Sequence, residues 1–160
     1  MSELKHIDEL KILVIGHGRH GKDSVGEILR DKYGFDFISS SFFCLDHVRG
    51  CLEDIGIHYP KSWDCFVDRV NHRAFWYNSI IEYNTPDKTK LSKDMIKEGY
   101  NLYVGMRDLE EYNACKEANV FDVVLWVDRS DHCARESADS MELNESHADV
   151  IIDNNGDLKD

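Results

Sequence analysis

The sequence predicts an α/β fold in which five parallel strands form one sheet, with helices covering both of its faces. Three observations support this prediction. Apolar runs of strand length alternate along the chain with segments of helical periodicity. The first apolar run ends in a glycine-rich loop, and 160 residues with 42% hydrophobic side chains suffice for one buried core. Because strands that alternate with helices form parallel sheets, we predict a single domain over residues 1–160.

The glycine-rich loop follows the first strand, which we predict over 11–15. From Gly16 to Asp23 the chain reads Gly-His-Gly-Arg-His-Gly-Lys-Asp, which contains the Gly-x-x-x-x-Gly-Lys pattern of a phosphate-binding loop. Its glycines let the backbone approach an anion closely, and Lys22 adds a positive charge. A helix predicted over 21–32 turns its N-terminus towards the same anion. The loop therefore predicts binding of a nucleoside triphosphate.

The end of the loop departs from the common motif. Ser or Thr usually follows the lysine and binds Mg²⁺, whereas this chain has Asp23 followed by Ser24. A carboxylate is a good ligand for Mg²⁺, so Asp23 is the candidate metal ligand. The alternative is a glycine-rich turn with a surface lysine. The candidate triphosphate-binding residues of the loop are Gly16, His17, Gly18, Arg19, His20, Gly21, Lys22, Asp23 and Ser24.

A second strand is predicted over 35–39, and a short helix then runs to about residue 53. Ser62 is a candidate N-cap for a long helix that we predict to continue to Tyr83. Helical spacing assigns to its core face Trp63, Phe66, Val67, Val70, Ala74, Tyr77 and Ile81.

A different stripe of this long helix carries Arg69, His72, Arg73 and Trp76. Cations beside an aromatic ring can hold a phosphate and stack a base, which makes Arg69, Arg73 and Trp76 candidate substrate-binding residues. The alternative is a solvated basic face with Trp76 partly packed.

The second half of the chain continues the alternation. It comprises a helix over 91–98, a strand over 102–106, a helix over 108–118, a strand over 120–127, a polar segment over 128–146 and a strand over 150–152. Arg107 directly follows the third strand, and Asn154 lies in the turn after the fifth. Ligands of parallel sheets bind at the carboxyl ends of the strands. We therefore expect the loop, Arg107, the polar segment and the Asn154 turn to meet at one edge.

Charge and cysteine content restrict the partners. The formal net charge of −12 argues against general binding of nucleic acid or of an anionic membrane. There is no apolar stretch long enough to span a membrane and no signal-peptide core at the start. Five scattered cysteines with no Cys-x-x-Cys pair predict reduced thiols and a cytoplasmic protein. A zinc site at His132 and Cys133 is a less favoured alternative, because adjacent residues chelate poorly.

Three blocks together carry a resemblance to a known family: the loop at Gly16–Asp23, the stretch Tyr103–Arg107 followed by Glu110 and Glu111, and the ending Ala148–Leu158. They resemble the deoxynucleoside monophosphate kinases of bacteriophages, and animal-type phosphomevalonate kinase has a similar loop. The resemblance implies a three-layer P-loop kinase fold. It also implies a helical monophosphate-binding region over about 40–98 and a short lid over about 128–146.

The resemblance further implies transfer of the γ-phosphate of ATP to a (deoxy)nucleoside monophosphate, with Mg²⁺ as cofactor. Lys22 would be the loop lysine and Arg107 the arginine that faces the acceptor. Arg129 and Arg135 fall where a lid would lie, and Arg135 joins Lys22 and Arg107 as a candidate catalytic residue. Asn154 and Asn155 would lie near the donor base.

The chain departs from the family at Gly105, where many relatives carry Asp two positions before the strand arginine. Any Mg²⁺ role of that carboxylate is lost here or moved, to Asp23 or Asp46. Two other functions stay open: a P-loop kinase for another phosphorylated metabolite, and a module that binds or hydrolyses ATP without transfer. We expect a monomer or homodimer in the cytoplasm, which includes that of a phage-infected bacterium.

Overall fold

The fold is described by a computed structural model over residues 9–137 and 141–156. Its five strands are β1 (Ile12–Ile15), β2 (Phe37–Ser39), β3 (Leu102–Val104), β4 (Val123–Asp128) and β5 (Val150–Asp153). They form one sheet in the order β2-β3-β1-β4-β5, and every pair is parallel. The predicted α/β fold with a five-stranded parallel sheet is therefore confirmed. Residues 138–140 of the predicted lid and 157–158 of the C-terminal block lie outside the described residues.

Seven helices are described: α1 (Lys22–Tyr33), α2 (Ser40–Phe43), α3 (Leu45–Asp54), α4 (Ser62–Val67), α5 (Arg73–Tyr83), α6 (Lys90–Lys97) and α7 (Leu109–Glu117). Helix α1 begins after Gly21 and ends before Gly34, both of which have positive φ angles of 93° and 76°. Glycine tolerates this left-handed conformation, so both ends of α1 lie within a residue of the prediction. Along the sequence, helices α2 to α6 all come between β2 and β3.

Alternate side chains of β1 point to opposite faces of the sheet and so build a three-layer arrangement. Ile12 and Val14 belong to a cluster that includes Val25 and Leu29 of α1. Leu13 and Ile15 belong to the larger cluster, which helices α2 to α7 cover. Because β1 is central and buried on both faces, the loop that follows it starts from a rigid support.

The long helix predicted over 62–83 is wrong, because the chain is interrupted there by a 3-10 turn over Asp68–Asn71. The Asp68 carboxylate accepts hydrogen bonds from the hydroxyl of Tyr59 (2.6 Å) and the amide of Asn71 (2.6 Å), which hold this turn. His72 then leaves the helical region of φ and ψ before α5 begins.

With this interruption, several side chains of residues 62–83 have a burial opposite to the predicted one. Trp63, Val67 and Val70, which were assigned to the core, are 60%, 53% and 55% exposed. Trp76, which was assigned to a polar stripe, is only 4% exposed. A helical stripe holds only while the helix is continuous, so the phase counted across the turn failed.

No helix in the two described ranges is both long enough and apolar enough to cross a lipid bilayer.

The carboxyl group of Glu111 is buried. Glu111, in the first turn of α7, is 6% exposed and accepts a hydrogen bond from the Tyr103 hydroxyl at 2.8 Å. Burial raises the pKa of Glu111 to about 7, against the opposing effect of that hydrogen bond. The folded chain therefore holds a proton at pH values where the unfolded chain has released it.

We expect Glu111 to make the fold less stable as pH rises from the ordinary glutamate pKa towards 7, by up to about 3 kcal/mol. Glu111→Gln keeps an acceptor for Tyr103 but does not titrate, so this variant should lose that part of the pH slope. Urea denaturation between about pH 5 and pH 8 measures the difference. Glu110→Gln is the control, because its side chain is 77% exposed. An unchanged slope in Glu111→Gln would contradict the assignment.

Candidate functional site

The loop between β1 and α1 is held between β4 and the C-terminal turn by close contacts at two glycines. A Cβ atom on Gly16 would lie 2.7 Å from the carbonyl oxygen of Val127. A Cβ atom on Gly21, where φ is 93°, would lie 2.4 Å from the side-chain nitrogen of Asn154. Both positions therefore require glycine, and the loop conformation depends on its neighbours as well as on its own sequence.

Lys22 curls back over the loop. Its ammonium donates hydrogen bonds to the carbonyl oxygens of Gly16 (2.7 Å) and His17 (3.2 Å). Burial, together with the charge of the Arg107 guanidinium, lowers the pKa of Lys22 to about 8, while the Glu136 carboxylate acts in the opposite direction. Water thus solvates the Lys22 ammonium poorly, and an anion that binds in the loop would stabilise its charge.

A carboxylate of the chain itself, that of Glu136, lies between Gly18 and Arg107, and we call this place the mouth of the loop. The Glu136 carboxylate accepts a hydrogen bond from the backbone N–H of Gly18 at 3.1 Å and a charge-assisted hydrogen bond from Arg107. Burial raises the pKa of Glu136, but the bonds from Arg107 and Gly18 outweigh this effect and hold the pKa below its usual value. A loop amide and a guanidinium thus bind one ionised carboxylate, so this place accepts anionic oxygen.

The predicted position of Arg107 at the end of β3 brings it to this point. A Cβ atom on Gly18 would lie 3.7 Å from its guanidinium and 3.1 Å from the Glu136 carboxylate. Between β3 and Arg107, Gly105 has a φ of 110°. A residue with a side chain would be strained at this φ, so the backbone at Gly105 favours glycine.

The loop histidines bind the polar segment rather than facing solvent. His20 is fully buried; its Nδ1 accepts from the backbone N–H of Arg129 (2.9 Å), and its Nε2 lies 3.2 Å from the carbonyl oxygen of Ala134. His17 Nδ1 accepts from the backbone N–H of Glu136 at 3.0 Å. Burial lowers the pKa of His17, and the nearby His20 acts in the same direction. Both imidazoles therefore accept a backbone N–H at Nδ1 and hold residues 129–136 on the loop.

The other loop residues reach solvent. Arg19 is exposed and has a φ of 67°. Asp23 and Ser24 are exposed in the first turn of α1, beside Lys22. An exposed carboxylate next to the loop lysine fits a ligand of Mg²⁺ that also contacts phosphate oxygens.

Arg129 and the two predicted asparagines join the polar segment to the C-terminal turn. The Arg129 guanidinium donates to the carbonyl oxygen of Asn154 at 2.6 Å. Asn154 in turn donates from its side chain to the carbonyl oxygen of His20 at 3.0 Å. Asn155 accepts from the backbone N–H of Asp131 at 2.9 Å. These contacts and those of Arg107 confirm that the loop, the polar segment and the turn meet at one edge of the sheet.

Arg135 forms ion pairs with acidic side chains of the chain itself. Its guanidinium pairs with Glu145, lies 3.8 Å from Asp128 and donates to the Ser130 hydroxyl at 2.9 Å. Its predicted catalytic role therefore requires these ion pairs to open.

The predicted substrate-binding residues of the helical region do not form one exposed face. Arg69 donates to the carbonyl oxygen of Phe66 at 3.0 Å and lies 4.0 Å above its ring. Arg73 is exposed at the start of α5. Trp76 packs edge-on against Phe66 and is buried, so the assignment of Trp76 to a base-stacking face is corrected to a core position.

Sequence reasoning missed one residue of this edge, Glu136. Tyr77, which was assigned to the core, is half-buried on α5. Burial raises the pKa of Tyr77, the charges of Asp108 and Glu142 act in the same direction, and the charge of Arg107 opposes them. Glu136 was missed because it lies 118 residues from Gly18 in a segment without periodicity. The only feature of the sequence that pointed to Glu136 was its position within the predicted lid.

Neither a protein-family model nor a curated protein matches this chain.

Proposed function

We propose that the chain is an ATP-dependent kinase that transfers the γ-phosphate of ATP to a (deoxy)nucleoside monophosphate. One observation carries the proposal: the Gly18 amide and the Arg107 guanidinium bind a single anionic group beside the buried Lys22. Phosphoryl transfer requires such a place, because catalysis depends on positioning phosphates and neutralising their charge. The resemblance to phage deoxynucleoside monophosphate kinases supplies the substrate class.

The donor phosphates would bind along the loop. Its backbone N–H groups and Lys22 would hold the β- and γ-phosphates, as in other phosphate-binding loops. Bound Mg²⁺ would neutralise charge on the phosphate oxygens, and Asp23 is the residue placed to hold it. Asn154 and Asn155 border the loop on the β5 side, where they are available to the donor nucleoside.

The acceptor would bind on the β3 side of the loop. Arg107 can pair with the acceptor phosphate through two parallel N–H donors, and the nearby Tyr77 offers a ring for the base. In the reaction an acceptor phosphate oxygen bonds to the γ-phosphorus as the bond to the β–γ bridging oxygen breaks. The acceptor is already an anion, so the chain need not supply a general base.

Glu136 would leave the loop mouth when a phosphate enters, because two anions cannot share the Gly18 amide and Arg107. The histidine contacts of the polar segment keep Glu136 close, so the same segment is suited to close again over bound substrates. Closure that excludes water favours transfer over ATP hydrolysis.

Glu136→Gln should bind ATP about tenfold more tightly than the wild-type chain, because a neutral amide competes less well with phosphate for Gly18 and Arg107. Isothermal titration calorimetry measures the affinity and is done below about pH 7, because loss of the Glu136 carboxylate lowers the pKa of Lys22 further. The matched control is Glu117→Gln, an exposed position on α7. Weaker binding by Glu136→Gln would mean that the carboxylate assists the nucleotide instead of competing with it.

The affinity for ATP should also fall as pH rises above about 8, where Lys22 loses its proton in the free chain. Bound phosphates favour the ammonium form and raise its pKa again, so binding takes up a proton in this range. The expected loss approaches about tenfold per pH unit. Titrations between about pH 7 and pH 9.5 test this, and Lys22→Ala should lack the dependence. A constant affinity in the wild-type chain would contradict it.

The proposed reaction is tested by incubating the chain and Mg-ATP with a panel of ribo- and deoxynucleoside monophosphates, while measuring ADP and the acceptor product. Nucleoside diphosphate formed from a monophosphate supports the proposal. ADP released equally with and without any acceptor supports an ATP-hydrolysing module, which the missing carboxylate at Gly105 favours. Product formed only from other phosphorylated metabolites identifies a different kinase.

We place this activity in the cytoplasm. All five cysteines are free thiols within the described residues, and free thiols persist under reducing conditions.

A further inference from the structure

A second cluster of ligand-type side chains lies in the helical region, on helices α3 and α5. His47 and Cys51 are one helical turn apart on α3, and Glu82 lies near the end of α5. One donor atom from each of them lies within 4.8 Å of the other two. Among residues 9–137 and 141–156, no other three histidine, cysteine or acidic side chains come together in this way.

We propose that His47, Cys51 and Glu82 form a binding site for a zinc ion. The Nε2 atom of His47 lies 3.8 Å from the Sγ atom of Cys51. Donors that share one zinc ion bind it at about 2.0–2.3 Å, so this separation suits a common ion without movement of α3. Glu82 is exposed, and rotation of its side chain closes the remaining distance.

The donor set selects the metal. Thiolate and imidazole favour zinc over magnesium or calcium, which prefer oxygen ligands. Three protein ligands leave a fourth position for water in a tetrahedral site. On binding, the S–H bond breaks and its proton passes to solvent, while the thiolate sulfur donates an electron pair to zinc, with no change in the oxidation state of either atom.

The surroundings hold two of the ligands in place. The His47 ring packs edge-on against Tyr83 of α5 at 5.3 Å, which orients its Nε2 atom along α3. Cys51 is partly buried next to the buried Ser79 of α5, so its sulfur stays between the two helices. A bound ion would therefore cross-link α3 to α5. This inference does not depend on the proposed kinase function.

Cobalt(II) is the probe, because cobalt bound to a thiolate gives a charge-transfer absorption band that nitrogen and oxygen ligands do not give. The reduced, chelator-treated full chain is titrated with Co²⁺, and Zn²⁺ is then added to displace it. We expect one equivalent of Co²⁺ to produce the band and one equivalent of Zn²⁺ to remove it. Absence of the band in the wild-type chain overturns the proposal.

Three variants and one control assign the ligands. Cys51→Ser should abolish the band, and His47→Gln and Glu82→Gln should each weaken zinc binding by at least about tenfold. Cys133→Ser is the matched control, since Cys133 is also partly exposed and adjoins His132. It should bind zinc like the wild type. Wild-type affinity in any of the first three variants, or loss in Cys133→Ser, overturns the site.

Thermal unfolding gives a readout that is independent of the spectrum. Zinc should raise the Tm of the wild-type chain and of Cys133→Ser as its concentration increases, because the ion binds only the folded site. At the same zinc concentration the rise should be clearly smaller in Glu82→Gln, whose site binds the ion more weakly. Glu82 is exposed, so this variant should fold even if Cys51→Ser does not. An equal rise in Glu82→Gln overturns the role of Glu82.

Discussion

Lys22→Ala should lower the rate of phosphoryl transfer by at least about 10²–10³-fold, the usual cost of removing a preorganised charged donor at a reacting phosphate. The Lys22 ammonium is partly buried and donates hydrogen bonds to the loop carbonyl oxygens of Gly16 and His17. A bound phosphate would provide an anionic hydrogen-bond partner for the Lys22 ammonium. Steady-state kinetics with Mg-ATP and the best acceptor of the monophosphate panel measure the loss.

The same variant should remain folded. Burial lowers the pKa of Lys22 to about 8, which means that below that pH the fold bears an energetic penalty for the charged side chain. Removing the charge relieves the penalty, so the urea midpoint should not decrease. Lys32→Ala is the control, because Lys32 lies in the exposed last turn of the same helix. Wild-type turnover in Lys22→Ala would remove the loop from the mechanism.

Arg107→Ala should lower kcat/KM for the acceptor by about 10²-fold and change ATP binding far less. Arg107 follows β3 and its guanidinium meets an anionic oxygen at the mouth of the loop. We assign this place to the acceptor side, so the loop amides and Lys22 still hold the donor in the variant. Initial rates at varied acceptor concentration, together with ATP titration by calorimetry, separate the two effects.

Arg107→Ala also releases Glu136 from its ion pair, which by itself favours ATP binding. A double variant with Glu136→Gln shows how strongly the two residues are coupled. Arg30→Ala is the matched control, because Arg30 is half exposed on α1 and pairs with Asp31. A larger loss in ATP binding than in acceptor use would place Arg107 on the donor side.

Local pattern predicted the sheet and the loop well. The β1 run and the Gly16–Asp23 motif each lie within a few consecutive residues, and their structure depends on backbone preferences that act at that range. The position of Arg107 also followed from local pattern, because a residue that directly follows a parallel strand must lie at its carboxyl edge. The same rule correctly placed Asn154 beside the loop.

Prediction failed where structure depends on specific side-chain contacts and not on periodicity alone. The helix predicted over 62–83 breaks because Tyr59 and Asn71 hold Asp68 in a 3-10 turn. A periodic count over the same residues contains no sign of that turn. The error then moved Trp76 to a polar stripe, although Trp76 is buried.

By itself, the sequence determined the α/β class of this protein, the five strands and the glycine-rich loop between β1 and α1. Those features arise from residues that are neighbours along the chain. Only the tertiary structure decided that Glu136 binds Gly18 and Arg107, that the loop histidines hold the polar segment, and that His47 and Cys51 meet Glu82. Each of these contacts joins separate elements, and no local preference specifies where a distant side chain arrives once the whole core has packed.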